Sequence, residues 1–277
     1  MKRTAYAKIN LDLNVTGRRD DGYHLLHSSM VFTEWGDEII LTSSNQFRLT
    51  ADGPYSNIFT TELLSVGKGS PNLIVKAVYL MAEKAQRNPD IHVHVTKNIP
   101  VGAGLGGGSA DAAAVMHMLN DYWEMRLSLA ELAEMGLRIG AELPVCLRAP
   151  APCLVQGIGE KISPLDTVPT LYLLIAWPDH GLLTKDVFDA YRAAELPFTQ
   201  PGTDCMTGNN DLTSAAIGLC PSVGEILSDL AESEGCSVAR MSGSGAACYG
   251  VFDTKEAAEA ASARFKNAVV TTTRTQV

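Results

Sequence analysis

The chain has 277 residues, 46% of them hydrophobic, with 22 Lys and Arg against 31 Asp and Glu for a formal net charge of −9. That length builds one large domain or two ordinary ones, and the acidic balance without any basic run argues against nucleic acid as the main partner. Six cysteines with no C-x-x-C or metal-ligand spacing predict free thiols in a reducing cytosol. No uncharged apolar run is long enough to span a membrane. Lys8, Asn10 and Asp12 interrupt the N-terminal apolar pattern, so no signal peptide is expected and the location predicted is cytoplasmic.

In chain order, residues 4–15 alternate cleanly and predict one strand. Ala5, Ala7, Ile9, Leu11, Leu13 and Val15 make one face; Thr4, Tyr6, Lys8, Asn10, Asp12 and Asn14 make the other. Lys8 and Asn10 therefore point the same way, about 7 Å apart. Residues 16–22 read as a charged turn, and residues 23–32 return as a strand. A further strand is expected over 37–41, then hairpins and loops over 42–70. A helix runs from Asn72 to about residue 85, with Leu73, Ala77, Leu80 and Met81 on one face. Ile91, Val93 and Val95 alternate with His92, His94 and Thr96 in a half-buried strand, and those histidines, with His117, read as structural.

The next stretch is Pro100-Val101-Gly102-Ala103-Gly104-Leu105-Gly106-Gly107-Gly108-Ser109-Ala110. A helix follows, with Ala112, Val115, Met116, Leu119 and Trp123 at helical spacing and Ser109 placed as its N-cap. Glycines at a helix entrance let the main chain approach a ligand closely. The first N–H groups of the helix lack intrahelical partners and sit at the positive end of its dipole. The combination predicts a phosphate site. No Gly-Lys-Ser/Thr closes it, which excludes a Walker A loop. Gly102, Gly104 and Gly107 match G-x-G-x-x-G, and Asp121 and Glu124 lie about twenty residues on. In a dinucleotide fold, however, the acid ends the next strand, whereas Asp121 ends the same helix.

Ser128 and Glu131 form a capping box for a helix expected to stop at Gly140. Pro and Ala residues at 149–152 suggest a domain boundary. Residues 156–160 form a turn, 171–176 a buried strand, and 178–188 a loop entering a helix that carries Thr184 and, one turn later, Phe188. Residues 209–212 read as a helix start, and Pro221 begins another helix. Met241-Ser242-Gly243-Ser244-Gly245-Ala246 is a second glycine turn, placed between a helix and the strand 247–252. A capping box at 253–256 opens an alanine-rich last helix.

Three of these segments resemble one family. The frame Pro-x-x-x-Gly-Leu-Gly closing in Ser109-Ala110 is similar to the ATP loop of the GHMP kinases. Its Gly106-Gly107-Gly108-Ser109 form resembles the 4-diphosphocytidyl-2-C-methyl-D-erythritol kinase branch, as do Ala7-Lys8-Ile9-Asn10-Leu11 and Gly22-Tyr23-His24. The turn at 241–246 resembles the third motif of the superfamily. The resemblance implies an α+β fold of two domains: an N-terminal ATP-binding domain (ribosomal protein S5 domain 2-like, 1–149) and a ferredoxin-like C-terminal domain (150–277).

It implies ATP and Mg²⁺ as cofactors, with residues 100–110 holding phosphates and no residue assigned as a metal ligand. Lys8 is implied to contact the reacting phosphate and hydroxyl. Asn10, Tyr23, His24, Thr184, Phe188, Gly243 and Gly245 are implied to bind a small molecule carrying a cytidine diphosphate group. Tyr23, His24 and Phe188 would read its cytosine; Asn72-Leu73 resembles a segment on the nucleotide side. The family segment Gly-Ala-Asp-Val-Pro carries the general base. Here it reads Gly140-Ala141-Glu142-Leu143-Pro144, so the acid is Glu142, on an arm about 1.5 Å longer. Two readings follow: Glu142 serves as base with a repositioned carboxylate, or the enzyme relies on Lys8 and phosphate positioning and is slow. The implied reaction is phosphorylation of the 2-hydroxyl of the acceptor, in the non-mevalonate isoprenoid route, by a monomer or homodimer. Its rivals are another GHMP small-molecule kinase and an NAD(P)-binding oxidoreductase.

Overall fold

The computed structural model describes residues 1–165, 168–202 and 204–274. In chain order the elements are β1 (Lys2–Asn10), β2 (Asn14–Arg18), β3 (His24–Ser43), β4 (Arg48–Asp52), α1 (Leu73–Ala85), β5 (Ile91–Thr96), α2 (Gly107–Tyr122), α3 (Leu129–Leu137), α4 (Leu143–Cys146), β6 (Cys153–Gly157), β7 (Lys161–Pro164), β8 (Tyr172–Ala176), α5 (Thr184–Ala193), α6 (Thr213–Leu219), α7 (Ser222–Ala231), β9 (Cys236–Met241), β10 (Cys248–Phe252), α8 (Lys255–Ser262) and β11 (Ala268–Thr272). The fold class is α+β. Two compact units divide the chain: Met1–Ala7, Trp35–Val101 and Gly106–Ala149 form the first, and Lys8–Glu34, Gly102–Leu105 and Pro150–Val277 the second. β1, β3 and the glycine-rich stretch each run from one unit into the other. Among the described residues no helix is long and apolar enough to cross a membrane.

In the first unit, β5 pairs antiparallel with the C-terminal half of β3 (Ile39 opposite Val95) and parallel with β4 (Leu49 opposite Val93). Ile91, Val93 and Val95 are fully buried, as their alternation predicts. β4 lies within the segment expected to form only hairpins and loops, and its parallel pairing needs the α1 crossover rather than a turn. α1 begins on Asn72, whose side chain accepts from the Ile74 N–H at 2.9 Å. Ile74, Val75, Val78 and Met81 of α1 share one core with Ala112, Val115, Met116 and Leu119 of α2. The alanines of α2 are buried around most of its circumference, which suits a helix with neighbours on several sides.

α2 starts three residues earlier than its sequence pattern suggests. Its N-cap is Gly106, left-handed at φ 69°, and no side chain caps it; Ser109 sits inside the first turn. α3 has the predicted capping box, with the Ser128 N–H donating to Glu131 Oε2 at 2.8 Å and the Glu131 N–H to Ser128 Oγ at 3.3 Å. It ends at Leu137, ahead of Gly140, whose N–H returns to the Gly136 carbonyl at 3.1 Å. Leu129 and Leu137 are exposed, so they lie off its core face.

In the second unit, the N-terminal half of β3 pairs antiparallel with β2 and β6, and β6 with β7. The single strand expected over 4–15 is two strands. Between them the main chain is claimed by other groups. The Leu11 carbonyl accepts from the Arg240 guanidinium and, at 2.9 Å, from the Tyr249 hydroxyl. The Leu13 N–H donates to the Asn209 carbonyl at 2.9 Å and the Leu13 carbonyl accepts from the Asp211 N–H at 2.9 Å. β2 then extends to Arg18, into the predicted turn.

The C-terminal sheet is fully antiparallel in the order β11-β8-β10-β9. Val223 and Leu230 of α7 and Ala258 and Ala261 of α8 belong to the core on which it packs. β9 and β11 escape the sequence reading, because Ser237, Arg240 and the threonines after Val270 break their apolar runs. The second glycine turn consequently joins two strands, β9 and β10, rather than a helix and a strand. α8 is capped by Thr254, whose Oγ1 accepts from the Ala257 N–H at 3.1 Å, one residue later than predicted.

The first unit also buries an ionic cluster. The Lys97 ammonium, at the end of β5, donates to Asp111 Oδ2 of α2 at 2.8 Å and to Asp37 Oδ2 of β3. Asp37 Oδ1 additionally accepts from the Asn98 and Ile99 N–H groups at 2.6 and 2.8 Å. Asp111 Oδ1 has no hydrogen-bond partner. Burial raises the Asp111 carboxyl from its usual range to about 8, with the Asp37 carboxylate adding to the shift and Lys97 opposing it. A carboxyl whose pKa is raised on folding contributes stability that is lost as pH rises through the folded value. Asp111→Asn keeps the neutral form at every pH, while Asp37 still pairs Lys97. Thermal melts at pH 5 and pH 9 should therefore show the parent losing stability towards pH 9 and the variant losing less. Equal pH slopes would contradict this assignment.

Candidate active site

The second unit gathers a buried polar web around the end of β1. Lys8 and Asn10 are 3% and 1% exposed, and Asp12 and Asn14 are also buried. The polar face of the predicted strand is thus interior, where each group needs a partner. The Lys8 ammonium donates to Asn10 Oδ1 at 2.6 Å. The Asn10 side-chain NH₂ donates to Ser28 Oγ at 2.7 Å, and the Ser28 hydroxyl donates to the Asp12 carbonyl at 2.6 Å. Asp12 Oδ1 accepts from the Ser29 N–H at 2.5 Å. Burial raises the Asp12 carboxyl, and the Ser29 hydrogen bonds oppose the shift.

Both glycine segments meet at this web. The Lys8 N–H donates to the Leu105 carbonyl at 3.0 Å, and the Asn10 N–H to Ser242 Oγ at 3.2 Å. The Ser242 hydroxyl donates in turn to the Gly104 carbonyl at 3.3 Å. Residues 102 and 103 are held by the Ala246 and Ala247 N–H groups at 3.2 and 3.0 Å. Two of the glycines are required by space. A Cβ on Gly104 (φ 73°) would lie 2.3 Å from the Ser242 carbonyl oxygen, and one on Gly243 (φ 59°) would lie 2.9 Å from the Lys8 ammonium. Asn210 fastens the second turn, donating from its NH₂ to the Met241 and Gly243 carbonyls at 2.8 Å each.

A cavity of about 470 Å³ lies in the same unit, lined by Tyr23, His24, Leu26, Thr184, Phe188 and Arg192 among others. His24 stacks on Phe188 (centroids 5.3 Å, planes 23° apart) and meets Tyr191 edge-on at 5.6 Å. Burial lowers the His24 pKa, with the Arg18 and Arg192 charges adding to it, so its imidazole is neutral at neutral pH. Tyr23 is 62% exposed on the turn before β3. Thr184, at the start of α5, lies 2.9 Å from Ser244 of the second glycine turn, hydroxyl to hydroxyl. Gly245 belongs to that same turn.

The structure therefore brings together Lys8, Asn10, Gly102, Ala103, Gly104, Leu105 and Gly243 in one web, and Tyr23, His24, Thr184 and Phe188 around one cavity. In the first unit lie Pro100 and Val101 and the uncapped opening of α2, Gly106, Gly107, Gly108, Ser109 and Ala110. Glu142 is exposed at the head of the short helix α4, in right-handed backbone. Ser28, Ser242 and Asn210 escaped the sequence reading as site residues. Ser28 sits in an apolar-looking strand, Asn210 in what reads as a helix start, and Ser242 in a motif legible only for its glycines. Among the described residues, no group of three or more His, Cys, Asp or Glu could hold a metal ion.

The model of the GHMP kinases N terminal domain matches residues 72–147, and that of the GHMP kinases C terminal matches residues 203–271. The chain is 39% identical over 270 residues to a 4-diphosphocytidyl-2-C-methyl-D-erythritol kinase of Brucella melitensis, covering 92% of this chain and 87% of that protein. It is likewise 39% identical over 271 residues to the kinase of that name from Paramagnetospirillum magneticum, covering 94% and 92%. A crystal structure of 4-(cytidine 5'-diphospho)-2C-methyl-D-erythritol kinase superposes with a TM-score of 0.83 at 28% identity over the whole of both chains. L. major mevalonate kinase shares the fold, at a TM-score of 0.72 and 11% identity over 100% of this chain and 97% of its own. With both glycine segments, the Lys8–Asn10 pair and this similarity along nearly its whole length, the chain belongs to the 4-diphosphocytidyl-2-C-methyl-D-erythritol kinase family of GHMP kinases.

Proposed function

We propose that this chain transfers the γ-phosphoryl group of ATP to the 2-hydroxyl of 4-diphosphocytidyl-2-C-methyl-D-erythritol, a step of the non-mevalonate route to isoprenoids, in the cytosol. The observation that carries the reading is the buried Lys8 ammonium, held beside both glycine segments. The acceptor oxygen attacks the γ-phosphorus as the bond to the departing ADP oxygen breaks, and the hydroxyl proton passes to Glu142. Catalysis of this kind is mostly alignment and charge stabilisation. Lys8 stabilises charge on the transferred group. The N–H groups at the uncapped start of α2 and the main chain of 102–105 hold phosphates. Mg²⁺ supplies charge neutralisation when bound to the nucleotide. A triphosphate brings its own oxygen ligands for it, which suits a chain whose described residues form no cluster of acids or histidines. The domain division that accompanies this reading, 1–149 and 150–277, is supported by the family models falling one on each side.

Cytosine recognition rests on the aromatic cavity. Tyr23 and Phe188 offer ring faces, and neutral His24 offers one donor and one acceptor to a base edge. Asn10, Thr184, Gly243 and Gly245 contact the rest of the acceptor. The competing reading, another GHMP kinase with a different acceptor, needs no cytosine reader.

Four measurements test these roles, all by ADP release with MgATP and the cytidine diphosphate alcohol. Lys8→Ala should lower kcat by about 10²–10³; a loss under threefold would remove Lys8 from the mechanism. Glu142→Gln should lower kcat by about 10²–10⁴, the usual worth of a general base, while Glu142→Asp keeps or raises it. A Gln variant as fast as the parent would exclude Glu142 as base. For the acceptor, the sign follows from His24. The neutral ring binds, so KM for the alcohol should rise as pH falls below the ordinary imidazole range near 6.5, with KM for ATP unchanged. Tyr23→Ala should raise the same KM at all pH values, and indifference to it would favour the competing kinase.

A further inference from the structure

The chain of hydrogen bonds running from Lys8 has only one possible direction. An ammonium only donates, so Lys8 must meet the oxygen of the Asn10 amide; it does so at 2.6 Å. That leaves the Asn10 NH₂ to face Ser28 Oγ at 2.7 Å, where the serine must accept. The serine proton must then go elsewhere, and it goes to the Asp12 carbonyl at 2.6 Å, a group that only accepts. A donor-only group stands at one end and an acceptor-only group at the other, so each link is fixed by its neighbours. Ser28 and Asn10 are both 1% exposed.

The Asp12 end is itself fastened to β3. The Ser29 N–H donates to Asp12 Oδ1 at 2.5 Å, and the Leu11 N–H donates to the Ser29 carbonyl at 2.8 Å. Two successive residues of β3, Ser28 by its hydroxyl and Ser29 by its main chain, thus hold the break that follows β1. Without the Ser28 hydroxyl, the Asn10 NH₂ would lose its 2.7 Å acceptor. An amide flipped end for end would then turn its NH₂ towards the Lys8 ammonium, donor against donor. A Cβ at position 243 would stand 2.9 Å from that ammonium, so the lysine has little room in that direction to follow a reoriented amide.

We infer that Ser28 is a positioning residue for phosphoryl transfer: by accepting from the Asn10 amide and donating to the Asp12 carbonyl, it fixes Asn10 Oδ1 towards Lys8 and so aims the ammonium. The inference rests on the kinase reading for its catalytic consequence, but its hydrogen-bond order can be tested without turnover.

The test compares the full-length parent with Ser28→Ala and Ser28→Thr. In ¹⁵N-asparagine-labelled protein, the Asn10 side-chain NH₂ should exchange slowly in the parent and in the Thr variant, and at least tenfold faster in the Ala variant. In steady-state assays, Ser28→Ala should lower kcat by about tenfold, the worth of roughly one hydrogen bond. KM for ATP and for the alcohol should stay within twofold, and Ser28→Thr should recover most of the loss. Unchanged exchange in the Ala variant, or unchanged kcat in an active parent, would overturn the inference. So would a fall in kcat that tracks a lowered melting temperature and is not recovered by Thr. A parent with slow exchange but no ADP release would instead sink the kinase reading and leave the hydrogen-bond order standing.

Discussion

Taking the Lys8 charge out of water sets the terms for everything near it. Burying an ammonium costs several kcal/mol unless hydrogen bonds and charges meet it, and here Lys8 and Asn10 at the end of β1 are buried together with Asp12 and Asn14 just beyond it. The chain meets the need by leaving regular β structure. After Asn10 the strand breaks, and its main-chain groups are taken by Arg240, Tyr249, Asn209 and Asp211. The Asn10 side chain reaches Ser28 and the Asp12 side chain Ser29 of β3, and the Asn10 N–H reaches Ser242 of the second glycine turn. The glycines at 104 and 243 follow from the same crowding, since the space a Cβ would need holds a carbonyl oxygen in one case and the ammonium in the other.

The other buried lysine is handled differently, and the contrast separates structure from chemistry. Lys97 lies between the Asp37 carboxylate, which also accepts two main-chain N–H bonds, and the Asp111 carboxyl. That arrangement ties the end of β5 and the interior of β3 to α2, the helix that opens on the glycines. Lys8 donates to the neutral Asn10 amide, which directs the ammonium without adding negative charge of its own. An ammonium clasped like that of Lys97 suits a joint, whereas on the kinase reading proposed above the Lys8 ammonium is directed towards a phosphate. The two lysines carry the same group, and their neighbours assign them different work.

Much of this was legible in the sequence, for definite reasons. The glycine-rich stretch between strand and helix, the alternation of β5, the Asn72 cap and the Ser128 box are local signals, and local physics decides them. The second glycine turn was legible as a turn. Its place between β9 and β10 was not, because Ser237 and Arg240 hide the strand before it, and Arg240 is there to reach the Leu11 carbonyl more than two hundred residues away. The break after β1 was illegible for the same reason: an unbroken period-two pattern carries no trace of distant groups that claim its main chain. Ser28 shows the limit most clearly. In sequence it is one small polar residue in an apolar run, and only the pairing of β3 with the start of β2 reveals which carbonyl and which amide it joins.

A division of labour follows from where these groups sit. The web around Lys8 is buried, and the chain from Lys8 to the Asp12 carbonyl is fixed in direction by a donor-only group at one end and an acceptor-only group at the other; such preorganisation is the condition under which electrostatic stabilisation is most effective. The aromatic cavity is built on softer ground. Tyr23 is exposed at the tip of a turn, His24 stacks on Phe188, and α5 contributes Thr184 from its first turn. Such side chains can rearrange around a ring at small cost, whereas reorienting Asn10 would break three hydrogen bonds in sequence. On the kinase reading proposed above, rigidity within this unit belongs to the phosphoryl-transfer groups and adaptability to the base-reading groups. Changes at the aromatic cavity should therefore alter which acceptor is held, and changes in the buried web should alter how fast it reacts.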